Sequence, residues 1–287
     1  MDDRRLVKLV GEIIGSERIE DDCAVLPFGE ICLVVSTDML HETTDFPEGM
    51  TDWQAGWMSV AVTLSDIAST GAEPRYLLLA VGLDDADRLS GIMQGARDCC
   101  VKYGAELVGG DVDSHSELTI VSTGIGSAAP ENIVRRKGSV PGDLICITGT
   151  PGCAEAGLSG YAEHREALPE PKPHVREGVL LGQAGVSAMM DVSDGLVISL
   201  YDLMDVNDCG FSIESEKIPL PEGVPAVPAH SMALYGGGDF YLLFTCSPSQ
   251  YPVLGVSAVV IGEVTAKSGV LVDGVPVEKR GYLHTWE

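Results

Sequence analysis

Aspartates at the ends of apolar segments are the feature that most limits what this chain can fold into. In AMMDVSDGLVISLYDL, residues 188–203, an apolar run stops at Asp191, and Ser193 and Asp194 precede a helix-like apolar stretch. Similar acids recur in IEDDCAVL, VVSTDML, VTLSDIAST, LVGGDVDS and YGGGDFYLLF. An ionised carboxylate in apolar surroundings is costly unless it is paired, hydrogen-bonded or bound to metal. Because 18 lysines and arginines cannot pair all 43 acids, the pattern favours a cation site.

Strand-like and helix-like apolar patterns alternate along the whole chain, which is typical of α/β or α+β proteins. The first half predicts strands at residues 31–40, 76–83, 105–111 and 117–126, and helices at 52–70 and 85–104. The second half predicts strands at LICITGT, AMMDV and YLLFT, helices at CAEAGLSGY and after AMMDV, and a β-rich tail. The polar, turn-rich stretch at 135–143 predicts a boundary between domains 1–137 and 138–287.

Charge and composition argue against several classes of binding partner and against a membrane-spanning or zinc-binding protein. With a formal net charge of −25, the chain is not expected to bind nucleic acid or an anionic membrane. Its N-terminus lacks the apolar core of a signal peptide, and runs such as YLLLAVGL are too short to span a bilayer. The eight cysteines form no C-x-x-C pair, so buried free thiols in a reducing cytoplasm are expected rather than a zinc site.

The residue types at the unusual positions favour a hard cation. Oxygen ligands from Asp, Ser and Thr, without a His or Cys cluster, suit Mg²⁺ above all, or Ca²⁺ or Mn²⁺. The glycine pairs in LVGGD and YGGGD would let the backbone approach phosphates.

Two simpler interpretations stay open: Ser193 as a helix N-cap and Asp111 as a turn residue. No P-loop or G-x-S-x-G motif occurs, and TGIGSAA is followed by Pro130 rather than a helix pattern. The acids therefore predict a magnesium-bound nucleotide.

The ordered motifs resemble a known family. DDCAVL, STDML, LSDIASTGAEP, GGD, RKGSVPGD, DVSDGL, GGGDFYLLF and GYLH follow one another between about residues 11 and 284. This order is similar to that of the thiamine-monophosphate kinases, relatives of aminoimidazole ribonucleotide synthase. The resemblance implies ATP-dependent phosphorylation of thiamine monophosphate to thiamine diphosphate, by direct in-line transfer with several Mg²⁺ ions. It also implies a homodimer, in which N-terminal α/β domains pair into a β-barrel and the C-terminal α/β domain closes over the site.

The resemblance also implies roles for individual residues. Metal ligands are expected at Asp22, Ser36, Thr37, Asp38, Asp66, Asp111, Asp191 and Asp194. Nucleotide contacts are expected at Gly110, Asp111, Arg136 and Ser193, and catalytic roles at Asp38, Asp66, Asp111 and Asp194. The substrate positions are Asp45, Gly238 and Tyr282, with Tyr282 packing on the thiamine moiety.

Two of these substrate positions depart from the family pattern. Asp45 stands where the family has His, and Gly238 stands where it has Glu. These departures leave open a related ATP-using enzyme with another acceptor, similar to aminoimidazole ribonucleotide synthase or to the hydrogenase maturation protein. They also leave open a nucleotide-binding relative without turnover.

Overall fold

The computed structural model describes residues 3–284, whose strands form two mixed sheets. After helix α1 (Asp3–Ile14), the first sheet contains β1 (Ala24–Phe28), β2 (Ile31–His41), β3 (Glu73–Leu83), β4 (Glu106–Ser114) and β5 (Thr119–Ala128). Their order is β1-β2-β5-β3-β4, and only β3 and β4 run parallel. A parallel pair needs a crossover connection, which helix α3 (Leu89–Tyr103) supplies.

Helix α2 (Asp52–Ser69) is the buried centre of the fold. It begins with a capping box, in which Thr51 and Gln54 satisfy each other's backbone N–H groups, and its last 15 residues are almost all buried. It packs on the inner face of the first sheet and against α3. The α2–α3 contact requires glycine, because a Cβ on Gly95 would lie 1.8 Å from the carbonyl oxygen of Trp53.

The second sheet comes entirely from the later part of the chain. Its strands are β6 (Leu144–Ile147), β7 (Ala188–Val192), β8 (Gly210–Ile213), β9 (Tyr241–Cys246), β10 (Val259–Thr265), β11 (Val270–Val272) and β12 (Val275–Pro276). They lie in the order β12-β11-β8-β10-β6-β9-β7. The helices are α4 (Cys153–Leu158), α5 (Val175–Ala184), α6 (Leu196–Val206) and α7 (Ala226–Tyr235). Since α2 also packs against α5 and β7, it joins the two sheets.

The α/β class predicted from the sequence is confirmed, and most element bounds agree to within three residues. The predicted helix at 85–104 instead starts with a 3₁₀ turn at Ala86–Arg88 before α3 begins. All eight cysteines are free, and all but Cys153 are buried, as expected. Within residues 3–284, no helix is both long enough and apolar enough to cross a bilayer.

The first sheet has one covered and one exposed face. Its five strands form an open sheet within one chain, so the dimeric barrel stays a prediction. The face opposite α2 exposes large apolar side chains, including Met39, Tyr76 and Leu78, which are 59%, 48% and 38% exposed. The strand β4 lies at one edge of the sheet.

Candidate active site

Buried and half-buried aspartates from distant segments meet beside helix α2. Carboxylate oxygens of Asp22, Asp66 and Asp191 all lie within 4.8 Å of one another. These acids come from the segment before β1, from α2 and from β7. Asp38, on β2, interacts directly with Asp66. We call these four residues the acid cluster.

Hydroxyl groups of α2 orient three of the acids. Thr63, Ser65 and Ser69 lie in the motif VTLSDIAST, where each donates a hydrogen bond to an acid from another segment. The bonds join Thr63 to Asp38 (2.6 Å), Ser65 to Asp191 (2.7 Å) and Ser69 to Asp22 (3.0 Å). The fourth acid, Asp66, accepts a bond of 2.5 Å from Ser36 on β2. Sequence reasoning missed the three α2 hydroxyls, although polar residues within an apolar helix were a usable signal.

Burial and mutual repulsion disfavour the charged form of the cluster. Burial raises the pKa of Asp38 to about 6, and the charge of Asp22 adds to this effect. Burial likewise raises the pKa of Asp191 to about 8. The pKa of Asp66 is raised well above its usual value by burial and then by the charges of Asp38 and Asp191. A bound cation would relieve both costs, and a donor set made only of oxygens fits a hard ion such as Mg²⁺.

Arg136 links the acid cluster to the second sheet's side of the site. Its guanidinium pairs with Asp22, and its buried Nε has no hydrogen-bond partner among the described residues. The neighbouring Asp21 holds this segment in place, because it accepts the backbone N–H of Arg136 (2.9 Å) and pairs with Arg135. The two adjacent acids therefore differ: Asp22 belongs to the cluster, whereas Asp21 positions the arginine segment.

The turn at Ser193 and Asp194 gathers further predicted site residues. The N-cap of α6 is Gly195, with no side-chain capping bond, so the structure does not support Ser193 as a simple N-cap. The Ser193 carbonyl accepts the N–H of Gly238 at 2.6 Å, and the Asp194 carbonyl accepts the N–H of Tyr282 at 2.9 Å. The nucleotide-side and substrate-side predictions therefore meet at one turn.

A cavity of about 440 Å³ opens beside this turn. Ser193 and Asp194 line it together with four cationic side chains. Those cations are Arg4 and Lys8 of α1, Arg136, and Lys279. Glu20, Asp202 and Asp205 also line the cavity, so it carries both charges: its cations can contact phosphate oxygens, and its acids can hold metal ions.

The structure does not bring Thr37 and Asp111 into the acid cluster. Alternate strand residues point to opposite faces, so Thr37 faces away from its neighbours Ser36 and Asp38. Its hydroxyl donates to the Ser122 carbonyl. Asp111 is exposed on β4, pairs with Ala80 on the outer face, and accepts the N–H of Val112. Their roles as metal ligands remain predictions.

Gly110, predicted to contact the nucleotide, lies next to Asp111 on the edge strand β4. There a Cβ would come within 1.8 Å of the Leu79 carbonyl oxygen, so the backbone pairing itself requires glycine.

The substrate-side residues occupy different settings. Asp45 closes a local turn, accepting the N–H of His41 (2.8 Å) and the hydroxyl of Thr44 (2.7 Å). Gly238 has φ +89°, and a Cβ there would lie 2.6 Å from a methyl carbon of Leu168. The loop that carries Leu168 therefore fills the space next to Gly238. Tyr282 is 44% exposed.

Comparison with known proteins places the chain in a family. The model of the AIR synthase related protein N-terminal domain matches residues 20–128. A thiamine-monophosphate kinase of Methanospirillum hungatei is 51% identical over 286 residues, covering 100% of both chains. The chain belongs to the thiamine-monophosphate kinase family. A second member, from Halobacterium salinarum, is 39% identical and covers 99% of this chain and 100% of its own.

The solved structures agree with this family membership. The structure of AaThiL complexed with AMPPCP and TMP superposes with a TM-score of 0.92 at 26% identity. It covers 99% of this chain and 97% of its own. The resemblance stated from the sequence motifs is thus confirmed, and so is the expectation that the chain is a kinase of this family.

Proposed function

We propose that this protein transfers the γ-phosphoryl group of ATP directly to the phosphate of thiamine monophosphate, giving thiamine diphosphate. The acid cluster carries the proposal: carboxylates of three of its residues, from distant segments, converge within 4.8 Å, beside a cavity lined by both cations and acids. The AaThiL complex, which contains AMPPCP and TMP, supports both substrates in a similar fold.

The residues fit several magnesium ions. Asp22, Asp38, Asp66 and Asp191 would hold them, with Asp194 as a further ligand at the cavity. When bound, Mg²⁺ would neutralise the charge of the two phosphorylated substrates, which otherwise repel each other. The α2 hydroxyls keep the carboxylates in place before the ions arrive, so little reorganisation is needed.

The side chains of the cavity favour direct, in-line transfer. Arg136 is held by Asp22 and has an Nε donor available for a phosphate oxygen. Ser193 offers a hydroxyl at the same cavity. These groups position and neutralise phosphates, which is what phosphoryl transfer requires of a protein.

The acceptor is proposed to bind beside the same turn, next to Tyr282 and Gly238. Both backbone N–H groups bond to this turn, and the Tyr282 ring is partly exposed and makes an edge contact with His284. A partly exposed aromatic ring at this turn can pack on a heterocycle such as that of thiamine.

We also propose a homodimer formed through the outer face of the first sheet. Exposed apolar side chains cover that face, and an unpaired edge strand invites association. Sedimentation analysis should give a dimer, and Tyr76→Glu should shift it towards monomer; a monomeric wild-type protein would contradict this.

The function is tested by incubating the purified protein with Mg-ATP, with and without thiamine monophosphate, and measuring ADP and thiamine diphosphate. The proposal predicts thiamine diphosphate in amounts equal to ADP. ATP use with another phosphorylated acceptor would favour the related-enzyme alternative, and nucleotide binding without turnover would favour the non-catalytic one.

A further inference from the structure

A second cavity, of about 550 Å³, opens at the carboxyl end of β6. Gly149 and Thr150, which follow β6, line it together with His174 and with Tyr241 of β9. Among residues 3–284, it shares no lining residue with the 440 Å³ cavity beside Ser193. Its volume falls within the roughly 300–1,000 Å³ that is typical of small-molecule sites.

The second sheet separates this cavity from the acid cluster. In the pairing of β7 with β9, Asp191 lies opposite Leu242, and its side chain points to α2, where Ser65 donates to it. Because side chains alternate along a strand, Tyr241 points to the other face of the sheet. A ligand bound at Tyr241 would therefore lie apart from the proposed phosphates.

The hydroxyl group of Tyr241 is buried without a hydrogen-bond partner. Only 1% of this residue is exposed, and its hydroxyl contacts no donor or acceptor among the described residues. The ring packs closely on the backbone after β6, since a Cβ on Gly149 would lie 2.6 Å from the Tyr241 Cβ. A buried hydroxyl without a partner is costly, so a ligand that supplies one gains binding energy there.

The segment between α4 and α5 forms one wall of the cavity, and hydrogen bonds hold this wall in place. The Trp57 indole donates to the Pro171 carbonyl (3.1 Å), and the Gln54 amide donates to Glu170 (2.9 Å). Nε2 of His164 donates to the Glu222 carbonyl at 2.8 Å. The cavity is therefore preformed, as small-molecule sites usually are.

The uncharged lining groups favour a heterocycle as the ligand. Burial lowers the pKa of His174, so its imidazole is neutral near pH 7 and offers one donor and one acceptor. Burial also raises the pKa of the Cys153 thiol to about 11, so the thiol stays protonated. With the hydroxyls of Thr150 and Tyr241, these groups suit the ring nitrogens and the amino group of a heterocycle.

The charged lining groups favour a positive ligand. Four carboxyl groups face one lysine and two histidines around the cavity. The acids are Glu163, Glu166, Glu170 and Asp239, and the basic residues are Lys172, His164 and His174. This excess of acids attracts a cation and repels a phosphate.

We propose that this cavity is a second ligand site, which binds an amino heterocycle that carries a positive charge and no phosphate. The Tyr241 hydroxyl bonds to the heterocycle, and the carboxylates surround the positive charge. Unphosphorylated thiamine, an aminopyrimidine joined to a thiazolium cation, has this chemistry. The proposal rests on the proposed function only in the choice of thiamine as the probe.

Titration calorimetry with thiamine, in EDTA and without nucleotide, tests the site. Tyr241→Phe should weaken thiamine binding about threefold to tenfold, because one hydrogen bond is lost. Tyr251→Phe is the matched control: it removes a tyrosine hydroxyl that donates to the Ala258 carbonyl (3.0 Å) outside the cavity, and it should bind thiamine as the wild type does. No binding of thiamine, or equal affinities in wild type and Tyr241→Phe, would overturn the proposal.

Thermal unfolding shows whether a loss of structure explains the weaker binding. Without ligand, Tyr241→Phe should unfold at the same temperature as the wild type or at a higher one, because the hydroxyl that it removes has no partner. Tyr251→Phe, which loses a hydrogen bond, should unfold at a lower temperature.

Competition distinguishes this site from the proposed acceptor site. With Mg²⁺ and saturating thiamine monophosphate, thiamine should still bind, because the acids of the cavity disfavour the phosphorylated form. Complete loss of thiamine binding would place thiamine in the acceptor site and overturn the proposal. If thiamine monophosphate is not the acceptor, the comparison of Tyr241→Phe with Tyr251→Phe still decides, because it involves no turnover.

Discussion

The acid cluster and the acceptor side, two regions of one site, are organised in contrasting ways. In the cluster, acids from four segments are buried or half-buried, and hydroxyl groups from α2 and β2 hold them in place. On the acceptor side, Asp45 closes its own turn, Gly238 has no side chain and Tyr282 is partly exposed. The contrast teaches that the half proposed to bind the phosphates is preorganised within one chain, whereas the half proposed to bind the acceptor is open to variation.

Removing one carboxylate from the cluster should have the largest effect. Asp66→Asn should lower kcat by more than about a hundredfold, because even the outer partners of metal ligands are worth 10–100-fold. The metal-free variant should be at least as stable as wild type, because a buried charge is removed while the amide oxygen can still accept from Ser36. Steady-state kinetics and thermal unfolding in EDTA measure the two effects, and activity near that of wild type would remove Asp66 from the metal site.

Removing one orienting hydroxyl should have the next largest effect. Ser65→Ala leaves Asp191 without its donor and should weaken Mg²⁺ binding by roughly 10–100-fold. Ser59→Ala is the matched control, because this equally buried serine of α2 donates to the Ala55 carbonyl of its own helix. Titration calorimetry measures the Mg²⁺ affinity of both variants. An equal loss of affinity in the two would mean that the hydroxyls only stabilise the helix.

A methyl group at position 238 should weaken binding of the acceptor without weakening binding of Mg²⁺. Gly238→Ala should cost about 1–2 kcal/mol of unfolding free energy, because φ is positive there. The contact with Leu168 should also raise the KM for thiamine monophosphate, with the Mg²⁺ affinity unchanged. Gly142→Ala carries the same strain, at φ +96°, with nothing within 4 Å of the new Cβ. If both variants leave the acceptor KM unchanged, Gly238 is not on the acceptor side.

The smallest effect expected is a pH-dependent stabilisation by magnesium. With the pKa of Asp38 raised to about 6 and that of Asp191 to about 8, the folded metal-free protein binds more protons than the unfolded chain between about pH 4 and 8. The contribution of these acids to stability therefore falls as pH rises through that window. Because Mg²⁺ binds the ionised carboxylates, it should raise Tm more at pH 8 than at pH 5. Thermal unfolding with Mg²⁺ and with EDTA measures this difference, and a larger shift at pH 5 would contradict it.

Much of the site could be predicted from the sequence because its acids interrupt apolar segments. Asp22, Asp66 and Asp191 were all recognisable in this way, and the structure brings them together. The alternation of side chains along a strand, applied strictly to residues 31–41, also separates Thr37 from Ser36 and Asp38.

Other parts of the site depend on tertiary packing. The pairing of Thr63, Ser65 and Ser69 with particular acids requires the position of α2 between the two sheets. The contact between Arg4 and Asp194 joins residues 190 positions apart, and no local pattern marks it.

Cations must occupy the acid cluster if it is to bind phosphates as proposed. Anomalous diffraction from crystals grown with Mn²⁺ and a non-hydrolysable ATP analogue tests this directly. We predict manganese peaks within coordination distance of the carboxylates of Asp22, Asp66 and Asp191, with the analogue's phosphates bound to the same ions. Phosphates bound in the cavity with no manganese at these three acids would contradict the account.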